Sequence, residues 1–350
     1  MSLNGENIKH SGRIGQVGIY LGKMFRMFVF QSDWKVLPMA AIIAGLVSMV
    51  VGRNLYYSME GTAIGSFAIT CVCIWNGCFN SIQVICRERA IIKREHRSGL
   101  HISSYVAAHM IYQACLCLGQ TIITVIVLHF TMSRFSSGSI PETGFITGNG
   151  IADLAVTIFL ITYSSNIISL FISAIVRNTT TAMTMVPFLL IFQLIFSGGF
   201  FELSEKIMPV SYFTVSRWGM TALCAEGNYN DLPMVSMLNA LSNMQEFEMD
   251  ADMKEAAIEA ISEEYNVPKE VAAVYSQNIP DNSKPIKPIV YRIYGVNTKG
   301  EQIGEDHSRE FMLECAKNNQ NMRYASTKKN ILDCWLAMAA FVAVFGILSV

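Results

Sequence analysis

The chain has 350 residues, of which 52% are hydrophobic and only 15% are charged, and its mean hydropathy is +0.36. About a quarter of the residues of soluble domains are charged, so this composition argues against an ordinary soluble protein and favours a membrane protein. The net charge of −1 leaves no global basic excess, so no nucleic-acid partner is expected.

The first 35 residues contain an amphipathic segment and lack the apolar core of a signal peptide. In "IGQVGIYLGKMFRMFVF" (residues 14–30) the apolar side chains recur at helical spacing, while Gln16, Lys23 and Arg26 fall outside that stripe. This pattern predicts a helix that lies in the membrane interface. We expect residues 1–35 to form a cytoplasmic N-terminus that ends in this connecting helix.

Six mostly apolar stretches approach the roughly 20 residues that are needed to cross a bilayer. They predict an all-α polytopic membrane protein with six transmembrane helices. Five spans fall within a domain over residues 36–200, and the sixth forms residues 331–350. The stretches are 36–51, 62–86, 103–133, 151–176, 181–200 and 331–350.

Basic residues near the ends of the spans predict the orientation, because cytoplasmic loops carry an excess of Lys and Arg. The N-terminus, the link after span two and the link after span four carry eleven Lys and Arg, whereas the links after spans one and three carry only Arg53 and Arg134. We therefore expect the N-terminus to be cytoplasmic and residues 201–330 to be extracytoplasmic. Lys328 and Lys329, which adjoin the last span on its outer side, run against this orientation.

A cluster of charged residues follows span two. The stretch "RERAIIKREHRSG" (residues 87–99) holds five Lys or Arg and two Glu, and Glu88, Ile91, Ile92 and Glu95 fall on one side of a short helix. We predict a cytoplasmic elbow over residues 87–102. Such an elbow either only fixes the orientation of the chain, or it also lies along the membrane surface or docks another protein.

Span two also carries a polar stripe. Cys73, Asn76, Asn80 and Gln83 are spaced to share one helical face, and Phe79 lies beside it. Amides in hydrocarbon face other helices or a wet cavity, so the stripe is either an interhelical contact or the lining of a transport path. The sequence leaves both interpretations open.

Spans four and five contain features of close packing and bending. Small hydroxyl side chains in span four favour close contact between helices. In span five, Pro187 and the pair Gly198–Gly199 permit a kink. The polar residues of span four are Thr162, Tyr163, Ser164, Ser165, Asn166 and Ser169.

The long segment between spans five and six holds most of the charge of the protein, with 19 acidic and 13 basic residues over 201–331. Its pattern predicts a re-entrant part and then a small α+β extracytoplasmic segment. The expected elements are an acidic helix, a turn and a second helix over 243–277, a strand over 285–296 and a third helix over 308–320. No catalytic constellation is visible there.

Three ordered motifs resemble the permeases of ABC exporters of the G-subfamily, or type-2, kind. They are "RERAIIKREHRSGLHISSYVAAHMIYQ" (residues 87–113), "SLFISAIVRNTTTAMTMVPFLLIFQLIFSGGFF" (169–201) and "IMPVSYFTVSRWGMTAL" (207–223). The N-terminal amphipathic helix also matches. The resemblance covers about residues 12–225 and the final span.

The resemblance implies a function and a set of site residues. The chain would be a multi-pass permease of a bacterial plasma membrane that moves an amphipathic molecule, a lipid or a peptide. A second permease copy or homologue would complete a central cavity, and separate ABC ATPase subunits would bind ATP and Mg²⁺ and push the elbow. The implied positions are Cys73, Asn76, Phe79, Asn80, Leu190, Gln193 and Leu194 in the cavity, Gly199 and Phe200 at the outer gate, and Glu88, Lys93, Arg94 and Glu95 at the coupling elbow.

Three features depart from the family pattern. Gly199 stands where one of two bulky apolar gate residues is usual, and the segment between spans five and six is long. The chain also contains no GxxxxGK[ST] phosphate loop, so no catalytic ATP site is expected in it. Two rival functions remain, a secondary transporter and a membrane-anchored sensor that uses residues 201–330. The first is disfavoured because the spans have almost no ionisable residues at their centres.

Overall fold

The structure is a computed structural model, and it describes residues 12–30, 33–135, 138–199, 203–204, 206–244, 258–259, 262–263, 268–271, 293–296 and 302–350. Over these residues the chain is helical and contains no strand; the only β-pairing among them is an isolated bridge between Val296 and Gln302. This confirms an all-α membrane protein. The helices are α1 Arg13–Phe30, α2 Val36–Val51, α3 Met59–Ser81, α4 Val84–Arg97, α5 Ile102–Phe135, α6 Gly150–Ile175, α7 Thr179–Ile195, α8 Met208–Ser211, α9 Val215–Glu226, α10 Val235–Met244, α11 Ser308–Asn318 and α12 Lys328–Leu348.

Four helical stretches are long and apolar enough to cross a membrane, namely Met59–Arg97 and the helices α5, α6 and α12. The predicted spans one and five correspond to α2 and α7, which are apolar but shorter, at 16 and 17 residues. At 1.5 Å per residue, these two helices reach only about 24–26 Å. The structure therefore supports a polytopic membrane protein, and it gives four of the six predicted spans at full length.

Contacts divide the described residues into two units. One unit comprises the described parts of Met1–Tyr57, Gly61–Tyr229 and Asn321–Val350, and the other comprises those of Ser58–Glu60 and Asn230–Gln320. The re-entrant helix α9, which we grouped by sequence with the extracytoplasmic segment, belongs to the first unit. It packs there against α6 and α12.

Helix α6 lies at the centre of the first unit, against α5, α9, α12 and α4. Its small polar side chains are buried and bind neighbouring backbones. Ser169 Oγ donates to Cys78 O over 2.8 Å, and Ser81 Oγ of α3 donates to Asn166 O over 2.6 Å. These contacts confirm the prediction of close helix packing for span four. They also satisfy polar groups where lipid offers no partner.

The elbow begins earlier than the sequence predicts. Span two ends at Ser81, and a new helix, α4, starts at Val84 after a short turn. Ser173 Oγ at the end of α6 accepts hydrogen bonds from the N–H groups of Ile85 and Cys86, at 3.1 and 3.2 Å. The first N–H groups of a helix have no partner within the helix, so this serine caps α4 and fixes it to α6.

The second unit is described only in part. Glu60 accepts hydrogen bonds from the N–H groups of Val235 and Ser236 at the start of α10, and α10 packs against α11. The third predicted outer helix is confirmed by α11. Most of the predicted elements over 243–277 and 285–296 lie outside the described residues. Where the predicted strand is described, Ile293 and Tyr294 form a helical turn and Val296 forms the isolated bridge.

Gly77 sets the distance between α3 and α6. A Cβ atom at this position would lie 2.3 Å from the carbonyl oxygen of Thr162, so the two backbones would have to separate. We expect Gly77→Ala to lower the free energy of unfolding by about 1–3 kcal/mol through overpacking. The higher helix propensity of alanine offsets about 1 kcal/mol of this loss. The melting temperature of the purified full chain in detergent measures this effect.

Gly119→Ala is the matched control for this prediction. Gly119 also lies inside a membrane-spanning helix, but its Cβ would meet only Leu37 Cδ2 at 3.5 Å, an ordinary contact distance. Equal melting temperatures of the two variants would show that the close approach at Gly77 does not determine the packing of α3 on α6.

Candidate functional site

The elbow α4 is tied to its neighbours through its two glutamates. Glu88 accepts a hydrogen bond from Tyr105 OH of α5 at 2.9 Å, and its carboxylate lies 4.0 Å from Lys23 Nζ of α1. Glu95 accepts a hydrogen bond from Tyr20 OH of α1. The rings of Tyr20 and Tyr105 meet edge to face, with their centroids 5.5 Å apart. The amphipathic helix, the elbow and the start of α5 therefore form one bonded cluster.

The phenol of Tyr20 remains a donor in this cluster. Burial raises its pKa above the ordinary value, and its hydrogen bond to Glu95 and the charges of Glu95 and Glu88 act in the same direction. A phenol in this environment stays protonated at neutral pH and donates to the carboxylate. The contact between α1 and α4 is thus a charge-assisted hydrogen bond.

A second contact closes the turn after the elbow. Gln16 of α1 donates from Nε2 to Gly99 O and accepts from the N–H of His101, both at 3.0 Å. Gly99 has a φ of +102°, a conformation that suits glycine, and it lets the chain reverse before α5. Sequence analysis placed Gln16 off the apolar stripe and gave it no function. Only the fold brings its amide against residues that lie more than 80 positions away.

The elbow has two chemically different sides. Glu88 and Glu95 face α1 and α5, and the Glu88 side chain is only 15% exposed. Lys93, Arg94 and Ile91 are exposed. The sequence grouped Glu88, Lys93, Arg94 and Glu95 as one coupling set. The structure separates them into an acidic side bonded within the chain and a basic side that faces outward.

The predicted cavity residues of α3 are divided in a similar way. Cys73 and Asn76 are buried, whereas Phe79 is 41% exposed and stacks on Trp75 at 5.0 Å between centroids. Asn80 exchanges two hydrogen bonds with Gln120 of α5, at 2.7 and 3.2 Å. This amide pair is an interhelical contact of the kind that the sequence left open for the polar stripe. The assignment of these residues to a cavity stays a prediction.

The predicted cavity residues of α7 mostly pack within their own chain. Leu190 and Gln193 are buried, and Leu194 is half-buried. Gln193 Oε1 accepts a hydrogen bond from the N–H of Ser216 at 3.1 Å, and the Gln193 carbonyl accepts one from Ser216 Oγ. Gln193 thus anchors the start of α9.

The opposite face of α7 is apolar and exposed, with Phe188 at 70% exposure. Sequence analysis missed this face, although its spacing of i, i+3, i+4 and i+7 was visible. Its members are Phe188, Ile191, Phe192 and Ile195.

The predicted outer gate is described only at Gly199, because Phe200 lies outside the described residues. A Cβ atom on Gly199 would lie 2.6 Å from Met220 Sδ and 3.0 Å from Phe67. Glycine therefore allows the end of α7 to approach α9 and α3. A bulky side chain at this position would have to displace Met220 or Phe67.

Arg323 holds together the end of the bundle that lies away from the elbow, hereafter the far side. Its guanidinium donates to Ser197 O at 2.6 Å, to Arg217 O at 3.1 Å and to Thr221 Oγ1 at 2.8 Å. The side chain of Arg323, which lies next to the final span, thus donates hydrogen bonds to acceptors just after α7 and in the middle of α9. Sequence analysis missed Arg323, and its only signal was a basic residue just before a span.

A buried carboxyl group lies close to this region. Glu226, at the end of α9, accepts a hydrogen bond from Thr157 Oγ1, and Trp335 Nε1 donates to the same hydroxyl over 2.7 Å. Burial raises the pKa of Glu226 to about 8, so this side chain is mostly protonated at neutral pH. The group connects α9 to α6 and α12 and forms part of the packing on the far side.

Loss of the Arg323 guanidinium should destabilise the far side. We expect Arg323→Leu to lower the free energy of unfolding by about 2–4 kcal/mol, because several buried acceptors lose their donor at about 1–3 kcal/mol each. Arg323→Lys should restore only part of this loss, since an ammonium cannot span the same acceptors. Thermal unfolding of the purified full chain, with exposed Lys328→Ala as the control, measures the effect. A melting temperature like that of the control would refute the assignment.

Comparisons with known proteins agree with this architecture. A family model described as "ABC-2 type transporter" matches residues 16–225. The chain is 26% identical over 155 residues to an ABC transporter ATP-binding/permease protein of Mycobacterium tuberculosis, a match that covers 43% of this chain and 17% of that protein. It is 24% identical to ABC transporter G family members 4 and 8 of Arabidopsis thaliana, over 61% and 60% of this chain and 36% and 35% of those proteins. The matches thus span between about a sixth and a third of the relatives' lengths.

Proposed function

We propose that this chain, which belongs to the ABC-2 type transporter family, is the membrane-spanning permease subunit of an ATP-driven exporter. Family membership and the apolar helices make it a multi-pass transmembrane component of an ABC transporter that associates with ABC ATPase subunits. The proposal adds that those subunits are separate chains that hold ATP and Mg²⁺. In this proposal the cargo is an amphipathic molecule, a lipid or a peptide that leaves the cytoplasm or the inner leaflet by alternating access.

The two-sided elbow is the observation that best supports this function. Its glutamates are bonded to α1 and α5, and its N-terminal N–H groups are capped by Ser173 of α6. Lys93 and Arg94 face away from the chain and are accessible to an ATPase partner. A displacement of α4 by such a partner would move α1, the start of α5 and the end of α6 together. This arrangement suits the transmission of motion from a nucleotide-binding subunit into the membrane.

The proposal includes six spans and a second permease chain. Helices α2 and α7 cross the membrane despite their shorter length, since modest thinning of the bilayer accommodates short spans. The exposed aromatic faces of α7 and α3, which carry Phe188, Phe192, Trp75 and Phe79, meet a second permease copy or homologue across a central cavity. Large apolar faces of this kind are typical of contacts with lipid or with another chain.

Charge reversal on the outer side of the elbow tests the coupling to ATPase subunits. We expect Lys93→Glu/Arg94→Glu to weaken ATPase binding about thirtyfold, since two surface charges contribute about 1 kcal/mol each. ATP hydrolysis by the complex should fall accordingly, while the melting temperature of the permease chain stays unchanged. The complex is formed with an ABC ATPase from the same genome. Native mass spectrometry of this complex should find two permease chains and two ATPase chains.

Arg13→Glu/Arg26→Glu is the matched control for the elbow variant. It makes the same change of charge at exposed positions of α1. Wild-type hydrolysis by the Lys93→Glu/Arg94→Glu complex, or the failure of every ABC ATPase of that genome to bind the chain, would overturn the proposal.

The orientation is tested by labelling in intact cells. Because of the eleven-to-two excess of basic residues, we expect the elbow to be cytoplasmic and Asp231 to be extracytoplasmic. In a variant without native cysteines, an impermeant thiol reagent should label Asp231→Cys and should label Ser98→Cys only after the cells are opened. If the reagent labels Ser98→Cys but not Asp231→Cys in intact cells, the predicted orientation is wrong.

A further inference from the structure

A cavity of about 230 Å³ lies on the elbow side of the first unit, between α1, the end of α3, the start of α4 and α5. All of its lining residues belong to one chain, and the amphipathic helix forms one of its walls. Phe79 and Asn80, which the family resemblance assigns to the central cavity, line its edge, so the two cavities adjoin each other. Its lining combines an apolar part with a polar part. A lipid at the membrane interface needs both, because its acyl chains are apolar and its headgroup is polar.

The apolar part of the cavity includes Met24 and Met27 of α1, Val36 of α2, Phe79 of α3 and Leu116 of α5. Methionine side chains adapt to irregular apolar ligands. Pockets for drug-sized ligands have volumes of about 300–1,000 Å³, so this cavity suits a headgroup with its glycerol backbone better than a whole lipid. Acyl chains would then extend along the apolar wall into the bilayer.

The polar part carries an excess of positive charge. Lys23, Arg87 and Glu88 line the cavity, and the Lys23 ammonium is balanced by Glu88 at 4.0 Å. Arg87 adds a second cation that is exposed at the rim. The net formal charge of the three groups is +1. Gln83 and Gln113 add amide groups to the lining.

His109 is the clearest sign that the cavity accepts a ligand. It lines the cavity with 5% exposure, and neither of its ring nitrogens has a hydrogen-bond partner among the described residues. Its only described ring contact is with Tyr105, at 4.5 Å between centroids. A buried polar group without a partner costs about 1–3 kcal/mol. Both nitrogens are closed off from the cavity as the ring stands, so the ring must turn before a ligand with acceptor oxygens can bind it.

We propose that this cavity binds the phosphate of a phospholipid from the leaflet on the elbow side. The guanidinium of Arg87 offers paired donors to phosphate oxygens, Lys23 offers a further donor, and His109 would offer one after its ring turns toward the cavity. Basic pockets between membrane helices bind lipid headgroups in this way. This site goes beyond the proposed transport function, because binding requires neither ATP nor an ATPase partner. A bound lipid would join α1 to α3 and α5 beside the elbow.

Native mass spectrometry of the purified full chain tests the proposal. The chain is titrated in detergent with palmitoyl-oleoyl phosphatidylglycerol and, separately, with the diacylglycerol that has the same acyl chains. We expect one phosphatidylglycerol to bind at least about tenfold more tightly than the diacylglycerol, because charge-assisted hydrogen bonds to phosphate are lost with the headgroup. Lys23→Gln/Arg87→Gln should remove this preference, and His109→Phe should reduce it with little change in ring size.

Arg26→Gln/Arg94→Gln is the matched control, because it removes the same charge from the same two helices at exposed positions outside the cavity. It should retain the preference for phosphatidylglycerol.

Arg87→Gln alone serves as the second variant, since Arg87 is exposed and its loss leaves the contacts of Lys23 in place. Equal losses in the cavity and control variants would show general attraction to anionic lipid and overturn the proposal. Displacement of the lipid by millimolar inorganic phosphate would overturn it in favour of a site for free anions.

Discussion

The two hydrogen bonds that Ser173 accepts from the N–H groups of Ile85 and Cys86 fix the elbow to the central helix at the point where span two ends. In a bilayer the backbone cannot rely on water, so each change of helix direction needs a protein partner. The hydroxyls of α6 supply such partners along its length. Because α6 also contacts α5, α9 and α12, the position of the elbow depends on the same helix that organises the rest of the first unit.

Patterns with a helical period were predictable from sequence, and contacts between distant residues were not. The amphipathic helix, the charged elbow and the small polar residues of span four all follow from local spacing. The structure forms helices over Arg13–Phe30 and Val84–Arg97, the second beginning earlier than predicted, and it buries the small polar residues of span four. The ends of the helices were harder to predict. The boundary between α3 and α4 depends on Ser173, which lies almost 90 residues further along the chain, and no local pattern around Gln83 reveals it.

The candidate site shows the same limit. Helical spacing correctly put Glu88 and Glu95 on one side of the elbow, but it could not show that this side binds Tyr105 and Tyr20. Gln193 was assigned to the cavity from the family resemblance, and in the structure it anchors Ser216 of α9. Arg323 gave almost no signal, because its importance comes from acceptors that lie more than 100 positions earlier in the chain, just after α7 and within α9.

The two ends of the bundle are built with different chemistry, and this difference bears on how motion could pass through it. On the elbow side, α4 binds α1 and α5 through hydrogen bonds between long side chains, and Ser173 holds its first turn against α6. On the far side, the guanidinium of Arg323 binds backbone carbonyls, and Gly199 permits close contact with Met220. Packed interfaces of this kind do not deform continuously and instead change between discrete arrangements. Helix α6 holds the start of α4 through Ser173 near one end and binds Glu226 of α9 through Thr157 near the other, so a single helix connects the two ends.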